Sequence, residues 1–163
     1  MKRILILGLI GAMLLCGCNT PAYETVGDVY ITQPSAERMT VGLELPEAGA
    51  EAVMEGSGGG RLYLCDGYEV VVQTLSVATL DEALRSVTGF GEDRLTVMAT
   101  REGEFDRYDC VWCTAGEQGD RVGRAAIFHD GSHFYCVSAL ADSTQVHQLN
   151  PVWNQILDSI SLS

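Results

Sequence analysis

Two short apolar runs separated by Asp66-Gly67 constrain the fold more than any other feature of this 163-residue chain. Residues 62–65 and 68–75 are rich in β-branched and aromatic side chains, and an Asp-Gly pair between two such runs is typical of a type I′ turn in a β-hairpin. The second run contains Val70-Val71-Val72, which is apolar on both faces and predicts a central strand with cover on each side. An antiparallel sheet built around this hairpin is therefore expected.

Further strands are predicted on both sides of the hairpin by the alternation of apolar and polar residues. Upstream, residues 29–31 and 39–45 alternate in this way. Downstream, a four-strand meander is predicted at residues 95–100, 108–114, 122–129 and 132–140. Asp130-Gly131 is interpreted as a two-residue turn between the last two strands.

Two helices are predicted from capping signals and apolar stripes. Thr79-Leu80-Asp81-Glu82 is a capping box that begins a helix with an apolar stripe, and Gly89 is placed to end it. Residues 142–145 offer a second capping box before a C-terminal helix. Pro151 lies within that helix, and either kinks it or occupies the first turn of a second segment. The order of strands and helices, with hairpin connections, predicts an α+β fold with helices packed on the faces of an antiparallel sheet.

A row of glutamates precedes a glycine-rich stretch in the first half of the chain. Glu47, Glu51 and Glu55 have helical spacing and predict a solvated helix face. Residues 56–60 follow, with the sequence Gly-Ser-Gly-Gly-Gly. A phosphate-binding P-loop requires Gly-Lys-Ser/Thr at the start of an apolar helix, whereas Arg61 begins a strand, so a flexible connection is favoured.

The first 18 residues resemble the signal peptide of a bacterial lipoprotein. Lys2 and Arg3 precede an apolar run at residues 4–15, which is too short to cross a bilayer. The run ends in Leu15-Cys16-Gly17-Cys18, where Cys16 departs from the small residue that is usual at that position. The resemblance implies that residues 1–17 are removed and that Cys18 receives a diacylglyceryl lipid. Residues 18–28 then form a short tether, and residues 29–163 form a single α+β domain.

The charge of the chain bears on its partners. The formal net charge is −12, and loss of Lys2 and Arg3 with the leader makes it −14. A chain this acidic repels nucleic acid and anionic lipid head groups. We therefore expect no nucleic-acid partner, and attachment to the extracytoplasmic face of a bacterial membrane through the lipid on Cys18.

The order of the predicted elements resembles the PsbP-like family, which includes PsbP of photosystem II, the Ran-binding protein Mog and bacterial lipoproteins related to DcrB. The resemblance rests on the central hairpin, on residues 79–84, on the meander, and on the closing segment at residues 153–160. It covers roughly residues 39–163 and contains no catalytic signature. It implies a compact antiparallel sheet in a protein that binds or supports other proteins.

Four cysteines remain beyond the lipidated position: Cys65, Cys110, Cys113 and Cys136. Cys110 and Cys113 form a Cys-x-x-Cys motif, but they lie on a predicted strand, where residues three apart point to opposite faces. With a two-residue turn at Asp130-Gly131, Cys110 and Cys136 would flank Ala125 in one row, too far apart to bridge unless the sheet is distorted. Disulfides and buried free thiols both remain open.

No metal, cofactor or catalytic site is predicted. Pairing across Asp130-Gly131 sets His133 opposite Phe128, so His129 and His133 are expected on opposite faces as surface or edge histidines. No serine has the context of a nucleophile elbow. The covalent lipid on Cys18 is the only attached group expected.

Two functions of different class follow from these features. The favoured one is a noncatalytic, lipid-anchored extracytoplasmic module that binds a protein or an envelope component. The alternative is an extracytoplasmic thiol-disulfide enzyme that uses Cys110 and Cys113. An exposed apolar or aromatic patch would support the first function, whereas the second needs reactive, accessible thiols.

Overall fold

The structure, a computed structural model, describes residues 37–46, 51–56, 59–116 and 119–163. The leader at residues 1–17, Cys18, the tether at residues 18–28 and the strand expected at residues 29–31 lie outside the described residues. Glu47, the first residue of the glutamate row, lies outside them as well.

Nine strands are assigned within the described residues. They are β1 (Val41–Gly42), β2 (Met54–Glu55), β3 (Arg61–Cys65), β4 (Tyr68–Leu75), β5 (Val97–Glu102), β6 (Phe105–Thr114), β7 (Arg121–His129), β8 (Phe134–Asp142) and β9 (Ser161–Leu162). Seven of them form one antiparallel sheet in the order β2-β3-β4-β8-β7-β6-β5, and β1 pairs with β9. The predicted α+β class, the central hairpin and the meander are confirmed.

Helix α1 (Leu80–Thr88) begins and ends at the predicted residues. The backbone N–H of Glu82 donates to Thr79 Oγ1 at 3.2 Å, and the Glu82 carboxylate accepts from the Thr79 N–H at 3.2 Å, which completes the capping box. Gly89 ends the helix with a φ of +80°, a left-handed conformation that glycine adopts without steric cost.

Helix α2 (Val146–Asp158) starts differently from the prediction. Gln145 is its N-terminal flanking residue and makes no side-chain cap, whereas Asp142 is the last residue of β8. The Asp142 carboxylate accepts instead from the N–H and the hydroxyl of Thr144, at 2.9 and 2.6 Å. The second capping box is therefore wrong, because the short Asp142–Thr144 turn uses the carboxylate before the helix begins. Pro151 lies inside the helix.

The β3–β4 hairpin has the predicted two-residue connection, with Cys65 opposite Tyr68. Gly67 has a φ of +81°, but no residue other than glycine among those described has a positive φ. A type I′ turn needs positive φ at both central positions, so the predicted turn type is wrong. Gly67 has the φ of the third residue in a type II turn.

The connection between β7 and β8 is longer than predicted. His129 pairs with Phe134, which leaves four residues between the strands in place of two. The Asp130 carboxylate accepts from the N–H groups of Ser132 and His133, each at 2.7 Å, and so stabilises the wider turn. The register on β8 is consequently shifted by two residues from the predicted one.

One helix covers each face of the sheet. On one face, Trp153, Ile156 and Leu157 of α2 pack on β4, β7 and β8, where Val70 and Val72 are fully buried. On the other face, Ala83 and Leu84 of α1 pack on β6, β7 and β8. These two apolar clusters are called the α2-side core and the α1-side core below.

Two further expectations fail at the sheet edge that carries β2. Glu55 lies in a strand, so the predicted helical glutamate row does not extend to it. Strand β4 is an inner strand as predicted, with β3 and β8 as its neighbours, but Val71 is only half-buried on the α1 side. Cover on both faces of β4 is therefore incomplete, because α1 packs over β6, β7 and β8 and leaves this part of the sheet open.

Among the described residues, no helix is long and apolar enough to cross a bilayer.

Candidate functional site

The predicted thiol pair is split between the two faces of the sheet. Cys110 is buried in the α1-side core, whereas Cys113 is exposed. Burial raises the pKa of the Cys110 thiol to about 11, with the nearby charge of Asp109 adding to the rise. Cys110 and Cys113 therefore cannot close on each other without a rearrangement of β6.

The other two cysteines also lie in strands. Cys136 is buried in the α1-side core, and burial raises the pKa of its thiol to about 12. It faces Ile127, not Ala125, which pairs with Ser138, so the predicted row of Cys110, Ala125 and Cys136 is wrong by two residues. Cys65 is half-buried and packs against the α2-side core. Cys110, Cys113 and Cys136 carry free thiols.

Of the two histidines near the β7–β8 connection, His133 departs from the predicted position. His129 is half-buried and its ring stacks on Phe134, with centroids 4.2 Å apart. His133 lies in the connection, not opposite Phe128, and only 6% of its surface is exposed. The expected surface position is wrong for His133, because the wider turn folds it inward. Within the described part of the chain, no group of three or more His, Cys, Asp or Glu residues is placed to hold a metal ion.

A cleft of about 450 Å³, which we call the arginine cleft, opens at one edge of the sheet. It lies where β1, the end of β2, the start of β3 and the end of β4 meet. Its lining consists of Arg38, Met39, Thr40, Val41, Glu55, Gly56, Gly59, Gly60, Arg61 and Thr74. A volume of this size is typical of small-molecule sites.

Arg61 is held in the cleft by the strands around it. It is the first residue of β3, pairs with Glu55 of β2 and Val72 of β4, and donates a hydrogen bond to the Val41 carbonyl of β1. Its guanidinium also lies 6.0 Å from the ring centroid of Tyr63. These contacts fix the direction of the side chain with neutral partners, so they do not neutralise its charge.

Arg38 enters the cleft from the segment that leads into β1. Its guanidinium donates to the Ser76 hydroxyl at 3.1 Å. The adjacent Met39 is tied to the sheet, because its N–H donates to the Tyr135 hydroxyl at 3.2 Å. The Arg38 side chain is thus oriented by a neutral oxygen, as Arg61 is.

Arg38 and Arg61 differ in charge environment from three of the other arginines, whereas Arg94, Arg101 and Arg124 likewise have no carboxylate within 4 Å among the described residues. Arg85, Arg107 and Arg121 each lie within 3.0 Å of a carboxylate oxygen. Among the described residues, no carboxylate lies within 4 Å of the guanidinium of Arg38 or Arg61. Glu55 lines the cleft and is exposed, so the cleft carries a formal charge of +1 in an acidic chain.

A buried hydrogen-bonded cluster supports the wall of the cleft. Tyr135, which pairs with the cleft residue Thr74, donates to Asp130 Oδ2 at 2.7 Å. Burial alone raises the pKa of the Asp130 carboxyl, but hydrogen bonds from Tyr135, His133 and Ser132 outweigh it and lower that pKa. The His133 Nδ1 lies 3.8 Å from Asp130 Oδ2 and makes no hydrogen bond to the described residues. Asp130 therefore acts as an ionised anchor that fixes Tyr135 and, through it, Met39.

An apolar groove of about 200 Å³ lies next to the arginine cleft and shares Gly56, Gly60 and Arg61 with it. Met54, Leu62 and Val71 occupy one row across β2, β3 and β4 on its floor. Met54 is 64% exposed. The edge of the sheet therefore presents a cationic cleft beside an apolar surface.

Little in the sequence points to this site. Arg38 and Arg61 belong to no motif, and β1 brings them together only by pairing with β9 at the far end of the chain. The glycine-rich stretch at residues 56–60 is a local signal at this site, but its sequence predicts only a flexible connection. The absence of lysine after Lys2 was a second signal, since every cation of the domain is an arginine.

The fold defines a class of protein, α+β with a seven-stranded antiparallel sheet and a helix on each of its faces. The crystal structure of LpqN from Mycobacterium tuberculosis, described as involved in cell envelope biogenesis, is similar to this chain, with a TM-score of 0.52. The sequences are 13% identical, and the match covers 77% of this chain and 84% of LpqN. At this identity the likeness shows the fold alone, and the PsbP-like resemblance stays a prediction.

No protein-family model matches the sequence, and no curated protein matches it.

Proposed function

We propose that this protein is a noncatalytic, lipid-anchored binding protein of the bacterial cell envelope, and that the arginine cleft is its binding site. One observation carries the proposal: Arg38 and Arg61 both line a cleft of about 450 Å³. Among the described residues, neither arginine has a carboxylate partner. The lipoprotein-like leader and the fold shared with LpqN, a protein described as involved in cell envelope biogenesis, support the envelope location.

The apolar residues beside the cleft also support a binding role. Val53, Met54 and Leu64 are 58%, 64% and 60% exposed at one edge of the sheet. Met98 and Val111, toward the other edge of the sheet, are 60% and 55% exposed, so the support comes from the position of Met54 in the groove beside the cleft.

The thiol-enzyme alternative is less well supported. A redox dithiol needs two thiols within bridging distance and a thiolate at neutral pH. Cys110 and Cys113 lie on opposite faces of β6, and the pKa of Cys110 is raised to about 11. We expect iodoacetamide to label Cys113 rapidly in the folded protein at pH 8 and to label Cys110 only after unfolding. Rapid labelling of Cys110 in the folded protein would show an accessible, reactive thiol and would support the thiol-enzyme alternative.

The anchor is tested by mass spectrometry of the protein purified from its native membrane fraction. The N-terminal peptide should begin at Cys18 and carry the mass of a diacylglyceryl group with its acyl chains. A peptide that retains residues 1–17, or a Cys18 without lipid, would contradict the proposed attachment.

The binding site is tested by photo-crosslinking in cells. A benzoylphenylalanine residue replaces Thr40, which lines the cleft, or Thr100, an exposed threonine of β5 that serves as the matched control. Crosslinked products specific to position 40 are expected. Identical products at the two positions, or none at position 40, would contradict a binding site in the cleft.

A further inference from the structure

We infer that the arginine cleft binds an oxyanion, a phosphate or carboxylate group, and that this group is the part of the ligand held between Arg38 and Arg61. The inference rests on the proposed function and specifies the chemistry of the same site.

The two guanidinium groups have unused donors. Each guanidinium has five N–H donors in a planar fork. Arg61 uses one nitrogen on the Val41 carbonyl, and Arg38 uses one on the Ser76 hydroxyl. These neutral oxygens orient both guanidinium groups, and the remaining N–H donors are available to a ligand. Planar forks of this kind match the paired oxygens of carboxylate and phosphate groups.

The charge of the surroundings favours a small anionic group over a polyanion. The chain carries a formal net charge of −12, so a nucleic acid or an anionic membrane surface is repelled by most of the protein. A single oxyanion inside the cleft lies next to two positive charges, while carboxylates more than about 10 Å away are screened at physiological salt. The exposed Glu55 opposes the anion from the edge of the cleft.

The size of the cleft indicates that the oxyanion belongs to a larger molecule. About 450 Å³ exceeds what one phosphate ion fills and lies in the range of organic ligands. The same phosphate chemistry is available from a free phosphate compound and from a lipid head group, and the experiment separates these sources.

The test is a titration of the full-length, ¹⁵N-labelled protein in a nonionic detergent. Sodium phosphate is added at constant ionic strength, balanced with sodium chloride, and the Nε–Hε signals of the arginines are followed by NMR. Saturable shifts are expected for Arg38 and Arg61. Arg38→Gln and Arg61→Gln should each raise the apparent Kd about tenfold, since each removes charge-assisted hydrogen bonds.

Matched variants distinguish a specific binding site from nonspecific electrostatic attraction of the anion. Arg101→Gln makes the same change of charge on the exposed strand β5 and should leave the Kd within about twofold. Glu55→Gln removes the opposing charge and should lower the Kd. If Arg101→Gln weakens binding as much as Arg61→Gln, the phosphate is an adventitious ion only and the inference fails. Arg38 is exposed, so Arg38→Gln carries the test even if Arg61→Gln fails to fold.

Three probes identify the anion and its source: sodium acetate, inorganic phosphate and glycerol phosphate. Preference for acetate identifies a carboxylate ligand, and preference for phosphate identifies a phosphoryl ligand. Tighter binding of glycerol phosphate than of inorganic phosphate indicates an organic phosphate, and the reverse order indicates the free ion. For an organic phosphate, phosphatidic acid dispersed in the same detergent is added as a competitor: stronger competition than by glycerol phosphate indicates a lipid head group, and weaker competition indicates a free phosphate compound.

Failure of all three probes would overturn the inference. If position 40 still gives specific crosslinks, the anion inference alone has failed. If the probes bind but position 40 gives no crosslink, the proposed function has failed instead.

Discussion

At the scale of single residues, the contact between Trp112 and Gly123 shows how tightly the α1-side core is filled. The two residues are opposite each other on β6 and β7, and a Cβ placed on Gly123 would overlap the Trp112 ring. The glycine is needed here for close approach and not for an unusual backbone conformation.

We therefore expect Gly123→Ala to lower the free energy of unfolding by about 1–3 kcal/mol through overpacking. Urea denaturation followed by tryptophan fluorescence measures the change. Gly60→Ala is the matched control, since a Cβ there meets no atom closer than 3.8 Å. Equal stability of the Gly123→Ala and wild-type proteins would show that the Trp112 ring can move aside.

Asp130 is the second residue whose role can be measured. Its carboxylate is 9% exposed and accepts three hydrogen bonds, from the N–H groups of Ser132 and His133 and from the Tyr135 hydroxyl. Asp130→Asn places an amide against the Tyr135 hydroxyl, which already accepts from Met39. We expect a loss of about 1–3 kcal/mol of unfolding free energy. Asp106→Asn, at an exposed position of β6, should have little effect.

The effect of Asp130→Asn should also depend on pH. The pKa of Asp130 is lowered in the folded protein from its ordinary value of 3.8, so the ionised carboxylate contributes stability that is complete above about pH 4 and is lost as the pH falls further. The difference between wild type and Asp130→Asn should therefore shrink below pH 3.8, as measured by urea denaturation across that range. If the difference in unfolding free energy between the two proteins grows as the pH falls, the expected direction of the pH dependence is wrong.

At the scale of elements, the start of α1 depends on the capping box at residues 79–82. The capping box of Thr79 and Glu82 satisfies two backbone N–H groups at the start of the helix. Thr79→Ala should lower the free energy of unfolding by about 1 kcal/mol, whereas Thr79→Ser keeps the hydroxyl and should lose much less. Thermal and urea unfolding measure both variants, and equal losses would show that the hydroxyl does not contribute.

Elements with local signals were predicted from the sequence, and elements that depend on distant partners were not. The Asp66-Gly67 hairpin and α1 are set by adjacent residues. The β7–β8 connection was predicted two residues too short, because the Asp130 side chain stabilises a wider turn that Asp130-Gly131 alone does not reveal. Strand β9 and its pairing with β1 were missed, since a two-residue strand leaves no periodicity to detect.

The candidate site was missed for the same physical reason. The cleft is assembled from residues near 38, 56, 61 and 74, which come together only after β1 has paired with β9 and β3 with β4. Such a site depends on tertiary pairing and has no linear motif. The Cys110–Cys113 motif, by contrast, was visible in the sequence, but the strand periodicity already indicated that its thiols point to opposite faces.

At the scale of the whole molecule, the acidic charge should affect stability through self-repulsion. The formal net charge is −12 for the 163 residues. Raising sodium chloride from 0.01 M to 1 M shortens the Debye length from about 30 to about 3 Å. The melting temperature should rise by roughly 3–5 °C for a gain of about 1 kcal/mol. Differential scanning calorimetry measures it, and a lower melting temperature would mean that local ion pairs such as Arg107 with Asp109 outweigh the repulsion.

The middle of the sheet joins strands that are far apart in the chain. Strand β4 pairs with β8, and roughly 60 to 70 residues separate the partners. The β3–β4 hairpin can form as soon as residue 75 has been made, but it has no neighbour for β4 until β8 follows. Because both cores include residues of β8, neither core can close before β8 has been synthesised. The pairing at the centre of the sheet therefore waits for β8, and until then the Val70-Val71-Val72 segment of β4 lacks its partner on that side.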